Sequence, residues 1–480
     1  MTSMRRSLIA LLALLSVAGA GCGGGSTTTA GSAAGDVAGI VPASAPVLIA
    51  LETDPESEQW QQADELLSKF PGKDRLLAEV RKGLAEEGID VDDELLPALG
   101  DETYIVVLDL EDGGNNVVVL TKPRDKEKLT QLLKEADDDS VTREIDGWTA
   151  ISESTTTLDR FAAAGDKLAD ADWFGEAQGR VEEDALVTFF ANGAPITEAM
   201  RKSLPSDCDV SAQQGELRYA AGTMTAADDG LRMKFAAKSE GAKQGVSGES
   251  LLSEVPSGAY AYLGSPGFDT SGLGLTEQIR CALGSGGIPD VESQLGVTYD
   301  EILDLFAGGL GLYVRPAALI PEITLLLDPK DDAKSLDVLD TLAEKAAGLG
   351  VKVQRTTVAG TEAREVQLGP VSILYGADNG YVAVTTARAG IEALAEGGPS
   401  LADDEAFKAA TDAAGVGDEE VFAYLDLRRI VDLADDIAGF AEQDLPREVQ
   451  ENLEPLESFL LWGDASDSND VEIGAFLQIG

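Results

Sequence analysis

The chain has 480 residues, of which 86 are acidic and 36 are basic, and its formal net charge is −50. A surface this acidic repels the phosphates of nucleic acids and the headgroups of anionic lipids, which argues against nucleic-acid binding. The sequence contains no histidine, so Ser-His-Asp catalysis, Cys-His catalysis and histidine-ligated zinc are excluded.

The N-terminus has the features of a secretory signal peptide. Arg5 and Arg6 precede an apolar stretch from Leu8 to Ala20 that ends in small residues, which is the order of regions in such peptides. The stretch is 13 residues long, well short of the roughly 20 that a transmembrane helix needs. We therefore predict that residues 1–21 are a signal peptide and that the mature protein is exported.

Cys22 follows at the point where the signal peptide ends. The run from Ala18 to Cys22 resembles the lipobox of bacterial lipoproteins, in which the cysteine is diacylated and becomes the new N-terminus. The resemblance implies a lipid on Cys22, a tether over residues 22–36 and a protein anchored at the extracytoplasmic face of the cell membrane. Gly19 departs from the lipobox pattern, which usually has a larger apolar residue there, so a freely secreted protein is the alternative.

Strand and helix patterns alternate through residues 37–240, which we predict to be one module. The module opens with a strand that ends at Leu51, and two helices with apolar stripes follow, separated by Pro71 and Gly72. Later elements follow from alternating or helical apolar patterns. They are strands at 104–108, 117–120, 185–190, 217–225 and 231–235, two short strands within 141–151, and a helix that carries Leu129, Leu132, Leu133 and Ala136.

The same order of elements recurs over residues 251–480. An opening strand ends at Leu263, and the equivalent helix carries Leu336, Leu339, Leu342 and Ala346. The remaining predicted strands are at 312–314, 323–327, within 351–368 and 371–384, and at 421–425, 459–462 and 471–479. We therefore predict two tandem, diverged copies of one module, with residues 241–250 as the linker.

Hairpins mixed with helices, rather than regular βαβ alternation, indicate the fold class. This order is typical of α+β proteins, in which amphipathic helices pack on antiparallel sheets. We predict that each copy has this architecture.

Two cysteines remain after Cys22, at positions 208 and 281. Export would place them in an oxidising compartment, where an even pair favours a disulfide. Two unbridged thiols are the alternative, because the distance between Cys208 and Cys281 does not follow from the sequence.

Several short motifs of the first copy suggest a family. The run Val41-Pro42-Ala43-Ser44-Ala45-Pro46 after a glycine-rich tether, residues 67–72, residues 86–90 and residues 96–102 resemble the domain-of-unknown-function 3352 (DUF3352) family of actinobacterial exported proteins. The resemblance extends over most of residues 37–480. It implies an exported location and a fold type, and it assigns no catalytic residues.

No catalytic, cofactor or metal site is predicted. Asp269-Thr270-Ser271-Gly272 resembles the Asp-Thr-Gly loop of aspartic proteases, and Asp54 has a comparable place in the first copy. The glycine that should directly follow Thr is missing in both, so turn aspartates are the preferred interpretation. An enzyme that uses carboxylates alone, such as a glycosidase, is the catalytic alternative that the absence of histidine permits.

The sequence thus predicts an exported, lipid-anchored envelope protein that is not an enzyme. Its expected partners are the membrane, through the N-terminal lipid, and either an envelope protein or a small apolar ligand. A purely structural module at the cell surface is the alternative.

Overall fold

The computed structural model describes residues 34–86, 88–110, 116–135, 140–203, 215–241, 250–267, 292–317, 321–369, 371–417, 421–440, 445–467 and 469–480. We call residues 34–241 the N-terminal half and residues 250–480 the C-terminal half. Both halves combine antiparallel strands with helices, which confirms the predicted α+β class. No helix in these described ranges is long and apolar enough to cross a membrane.

The N-terminal half is built on one antiparallel sheet. Its strands are β1 (Val47–Glu52), β2 (Glu102–Val107), β3 (Val117–Thr121), β4 (Val141–Ile145), β5 (Trp148–Ser152), β6 (Val187–Asn192), β7 (Glu216–Ala227) and β8 (Gly230–Glu240). They pair in the order β4-β5-β3-β2-β1-β6-β7-β8. Each predicted strand of this half is therefore present, within a few residues of its predicted bounds.

The C-terminal half repeats this order. Its strands are β9 (Ala261–Pro266), β10 (Gly309–Arg315), β11 (Glu322–Asp328), β12 (Lys352–Val358), β13 (Thr361–Leu368), β14 (Val371–Asp378), β15 (Tyr381–Thr385), β16 (Val421–Asp426), β17 (Leu456–Asp467) and β18 (Asp470–Ile479). They pair in the order β12-β13-β14-β15-β11-β10-β9-β16-β17-β18. Beyond the added hairpin β12-β13, the two halves have the same strand order.

The two halves share a single sheet. Strand β8, at the end of the N-terminal half, pairs antiparallel with β18, at the end of the C-terminal half. The result is one 18-stranded sheet. The register is close to symmetric, because Gly230 at the start of β8 lies opposite Gln478, while Asp470 at the start of β18 lies opposite Lys238.

Helices connect the strands in both halves. In the N-terminal half they are α1 (Gly35–Ala38), α2 (Glu58–Ser68), α3 (Lys73–Glu86), α4 (Leu96–Ala98), α5 (Lys126–Glu135), α6 (Thr155–Ala163), α7 (Asp172–Gln178) and α8 (Gly193–Ser203). In the C-terminal half they are α9 (Tyr299–Asp304), α10 (Asp332–Gly348), α11 (Arg388–Glu396), α12 (Glu405–Ala414), α13 (Leu427–Phe440) and α14 (Arg447–Leu453). The predicted helical pair at α2 and α3 and the predicted helices at α5 and α10 are present.

Capping side chains set where several helices begin. Ser57 accepts a hydrogen bond from the backbone N–H of Trp60 at the start of α2, and Asp331 accepts one from Lys334 at the start of α10. Such caps satisfy N–H groups that the first helical turn leaves without a partner. Local chemistry and the apolar stripe therefore specify the same helix.

One face of the shared sheet carries the main core of each half. In the N-terminal half, α1, α6 and α7 pack on side chains that include Leu48, Tyr104 and Phe190. In the C-terminal half, α11 and α12 pack on side chains that include Tyr262 and Tyr424. We call this the core face. Its largest side chains are almost fully buried, which makes it the main source of hydrophobic stabilisation.

Several contacts on the core face recur at corresponding places in the two halves. An isolated bridge joins Pro42 to Lys167 in the first half and Pro256 to Ser400 in the second. Aromatic rings meet edge to face in both halves, with centroids 4.9 Å apart for Phe174 and Phe190 and 5.1 Å apart for Phe407 and Tyr424. The halves therefore agree in local packing as well as in strand order.

Candidate functional site

The candidate site lies on the sheet where the two halves meet. In the pairing of β8 with β18, Met233 lies opposite Ala475 and Phe235 lies opposite Ile473. Directly opposite residues of an antiparallel pair project from the same face. These four side chains therefore form one apolar cluster across the junction, on the face opposite the core face.

Two rows of apolar residues extend from this cluster across the sheet, with one residue on each strand. We call them the first row and the second row, and together the junction face. The first row is Leu51, Val187, Met224, Met233, Ala475, Leu461, Ala423, Leu263 and Leu312. The second row is Ile151, Val119, Ile105, Ile49, Phe189, Gly222, Phe235, Ile473 and Gly463. Every member is apolar or glycine, so the rows offer hydrocarbon contact without charge.

The junction face is exposed to solvent at its middle, on β8, and near one end of the first row, on β9. Met233 is 39% exposed, Phe235 is 36% exposed and Leu263 is 50% exposed. On the core face, by contrast, Phe190 and Tyr424 are 0% and 1% exposed. Contiguous apolar surface of this kind is uncommon on soluble proteins and marks sites of interaction.

Helix α2 covers one end of the junction face and contacts both halves. Its residues Trp60, Ala63 and Leu66 pack against a cluster that includes Ala226 of β7 and Ile479 of β18. The Nζ of Lys69, just after the helix, donates to the carbonyl oxygen of Ile479 at 2.8 Å. The covered end thus forms part of the interface between the halves, next to the exposed middle.

An aromatic pair lies beside the exposed cluster. The rings of Phe189 and Phe235 stack with centroids 6.1 Å apart and planes inclined by 27°. Gly222 lies between them on β7, and a Cβ built at Gly222 would meet the Phe189 ring at 2.4 Å. The glycine therefore leaves the space that allows the two rings to approach across the intervening strand.

Polar contacts on the core face hold the junction together. Arg180 bonds Asp470 at 2.5 Å and also contacts Glu472, both on β18. Arg232 of β8 lies over the ring of Phe476 with its guanidinium carbon 4.1 Å from the centroid, and it donates to the carbonyl oxygen of Ala413 at 2.9 Å. Both arginines belong to the N-terminal half and contact the C-terminal half, so they reinforce the pairing of β8 with β18.

A pair of glutamates at the end of β1 and β2 is the other chemically distinctive feature. Glu52 and Glu102 lie opposite each other, and the hydroxyl of Tyr104 donates to Glu102 Oε2 at 2.6 Å. Burial, together with the neighbouring carboxylates of Glu102, Asp54 and Asp101, raises the pKa of Glu52 to about 7 against the lowering effect of a backbone hydrogen bond. A carboxyl group that keeps its proton near neutral pH is what a carboxylate-only hydrolase requires of its acid.

The surroundings of Glu52 indicate a structural role. Its Oε1 accepts the backbone N–H of Asp54 at 2.8 Å, and its carbonyl oxygen accepts the indole N–H of Trp60 at 2.9 Å. Tyr104 and Trp60 are 1% and 3% exposed, so the pair borders packed side chains. The contacts of Glu52 join α2 to the sheet.

An acidic depression of about 490 Å³ lies beside α7 and is lined by Asp170, Asp172, Glu176 and Arg218. Its one base is already paired, because Arg218 bonds Glu176 at 2.6 Å and Glu240 at 2.9 Å. In the part of the chain that the structure describes, no group of three or more acidic or cysteine side chains is arranged to hold a metal ion.

The predicted site residues lie mostly outside the described residues. Cys22, Cys208 and Cys281 are outside them, as is Asp269 of the protease-like motif. Asp54 is described: its Oδ1 accepts the N–H of Glu56 at 3.2 Å and pairs with Arg124 at 2.8 Å. These are the contacts of a turn aspartate, in agreement with the preferred interpretation of the sequence.

None of the residues of the junction face was predicted from the sequence to belong to a functional site. The alternation of Leu231, Met233 and Phe235 along β8 indicates that they share a face, and the same holds for Ile473 and Ala475 on β18. That pattern alone could have identified an apolar face on each strand. The pairing of the two strands, and the exposure of the face, depend on contacts between distant parts of the chain.

Comparison with known proteins gives one family match. No curated protein sequence matches the chain. Among solved structures, crystal forms I, III and IV of TP0453 are similar at 10% identity, cover 42 to 43% of this chain and 79 to 80% of their own, and give TM-scores of 0.23 to 0.24. The family model of DUF3352, a protein of unknown function, matches residues 7–149. This match confirms the predicted resemblance to the DUF3352 family over residues 7–149, which is less than a third of the chain.

Proposed function

We propose that the protein binds a small apolar ligand on the junction face, as an exported, lipid-anchored envelope protein that is not an enzyme. The observation that carries this proposal is the exposure of Met233, Phe235 and Leu263 within continuous apolar rows. Burying such side chains under a ligand is favourable by about 25 cal/mol per Å² of apolar area. The gain would be available on this face of the sheet and not on the filled core face.

The chemistry of the rows favours a hydrocarbon over a protein partner. The row members have no polar side-chain atoms, and the strands use their backbone groups in pairing with each other. An extended protein segment laid on this surface would bury polar backbone groups without partners, which costs several kcal/mol. A hydrocarbon has no such groups, and it is indifferent to the net charge of −50.

Removing an aromatic side chain from the junction face should weaken binding of an apolar probe. We expect Phe235→Ser to reduce the affinity for the neutral fluorophore N-phenyl-1-naphthylamine about tenfold, because half or more of the contact area of one large side chain is lost. Fluorescence titration measures the affinity. The matched control is Lys234→Ser, which places the same residue on the same strand but on the opposite face.

The controls separate the outcomes. Equal weakening by both variants would mean that the probe binds elsewhere or that β8 is disturbed, and melting temperatures from circular dichroism distinguish these cases. If the parent protein does not bind the probe, the proposal fails and the purely structural role becomes the better hypothesis.

The proposed anchoring of the protein to the membrane depends on Cys22. We expect Cys22→Ala to abolish metabolic labelling with an alkynyl palmitate analogue and to release the protein from the membrane fraction. The residue is the acyl acceptor that the lipobox resemblance implies. Labelling and membrane association that survive the substitution would contradict lipid anchoring, whereas loss of labelling with the protein still exported would support it. Ser26→Ala is the control, since it changes the tether only.

We also infer that the two halves arose by duplication of one module. The common strand order and the matching bridges at Pro42 and Pro256 support this origin. In that history the junction face would have formed when two copies joined through their last strands.

A further inference from the structure

We propose that the ligand is a single-chain acyl lipid whose hydrocarbon chain lies across the strands of the first row, in contact with both halves at once. This inference rests on the proposed function and specifies its ligand. It concerns the five consecutive positions of the first row from Leu263 on β9 to Met233 on β8, which pass through Ala423, Leu461 and Ala475.

The length of this segment matches that of an acyl chain. Neighbouring strands are about 4.8 Å apart, so the four intervals from β9 to β8 span about 19 Å. That is close to the extended length of a palmitoyl chain. Both end positions are exposed, Leu263 by 50% and Met233 by 39%, so a chain laid between them would cover the apolar surface at both ends.

The sizes of the side chains along and beside the segment also suit an extended acyl chain. Ala423 and Ala475 are small and are 7% and 6% exposed, so they lie low in the surface. Larger side chains stand beside them: Leu425, Phe459 and Leu477 lie two residues along their strands on one side, and Ile473 and Phe235 lie on the other. The two alanines therefore leave low positions on either side of Leu461, with larger side chains beside them, and we call this segment of the first row the trough.

The trough includes residues of both halves, so a ligand that fills it contacts both. Leu263, Ala423, Leu461 and Ala475 belong to the C-terminal half, while Met233 and the adjacent Phe235 belong to the N-terminal half. A chain shorter than the trough could contact one half alone. A palmitoyl-length chain must cross the β8–β18 pairing.

The charge of the protein limits the headgroup. Acidic residues exceed basic ones by 50, which disfavours a ligand with a free carboxylate or phosphate monoester. The lipid is therefore neutral or carries compensating charges, as in a monoacylglycerol or a zwitterionic lysolipid.

A chain-length series tests the inference. Monoacylglycerols from octanoyl to stearoyl, each below its aggregation concentration, are titrated against the full-length protein by displacement of N-phenyl-1-naphthylamine. We expect affinity to rise about fourfold for each added methylene and to level off near the palmitoyl chain, at a stoichiometry of one chain per protein. A plateau at decanoyl or shorter would overturn the inference, because such a chain fits within one half.

Variants at the two ends of the trough give an independent readout. We expect Leu263→Ser and Met233→Ser each to weaken binding of the palmitoyl lipid about fivefold, while the octanoyl lipid responds to no more than one of them. Lys234→Ser is again the control. If only one end variant affects the palmitoyl lipid, the chain does not span the junction and the inference is wrong.

The result also distinguishes this inference from the proposed function. If the fluorophore binds and no monoacylglycerol displaces it, the acyl-lipid inference fails while apolar binding at the junction face stands. If neither binds, both fail.

Discussion

Replacement of Arg315 by methionine should destabilise the protein by about 3–5 kcal/mol, the usual effect of leaving a buried charge without its partner. Arg315 on β10 lies directly opposite Glu322 on β11, and its Nη2 donates to both carboxylate oxygens at 2.9 and 2.8 Å. Glu322 is 2% exposed, so water cannot replace the lost guanidinium. Guanidinium chloride unfolding at pH 7, followed by circular dichroism, measures the change in the free energy of unfolding.

A double variant separates the lost pairing from lost packing. Arg315→Met with Glu322→Leu removes both charges and should recover most of the stability, because an apolar pair of similar volume can replace a buried ion pair. Arg388→Met is the control for removing an arginine, since Arg388 donates to the carbonyl oxygen of Thr357 from an exposed position. A single variant that loses less than 1 kcal/mol would show that Glu322 is solvated in solution.

The local elements of this fold follow from the sequence because each carries its own signal. Alternation marks the strands, an apolar stripe with a capping Ser57 marks α2, and the turn at Asn469 separates β17 from β18. Within each half, hairpins between consecutive strands account for much of the sheet order. These interactions are short-range, so a window of a few residues contains the information.

The site depends on interactions that no short window contains. The pairing of β8 with β18 joins residues more than 230 positions apart, such as Met233 and Ala475. The alternating pattern that includes Phe235 would be the same whether or not a helix covered that face of the sheet. Exposure is therefore a property of the assembled sheet. The same argument applies to Glu52, whose raised pKa depends on its burial and on Glu102, which lies opposite it on another strand.

Glu52→Gln should remove a pH-dependent loss of stability of about 3 kcal/mol between pH 4.5 and 7. The pKa of Glu52 is about 7 in the folded protein against an ordinary value of 4.5, so the folded state holds this proton more tightly than the unfolded state. The stabilisation is complete below about pH 4.5, declines as the pH rises to about 7 and is absent above it. Glutamine stays neutral throughout and fills nearly the same volume.

The measurement is the difference in unfolding free energy between Glu52→Gln and the parent protein, taken by urea titration at pH 4, 5, 6, 7 and 8. The difference should move in favour of glutamine with rising pH, by about 3 kcal/mol in total, since each pKa unit corresponds to 1.36 kcal/mol. Glu56→Gln removes the same charge from an exposed position nearby and controls for the net charge. A difference independent of pH would contradict the raised pKa. A rise confined to pH 4.5–7 would mean that the folded protein holds the proton of Glu52 and that its loss, rather than a change in net charge, lowers the free energy of unfolding over this range.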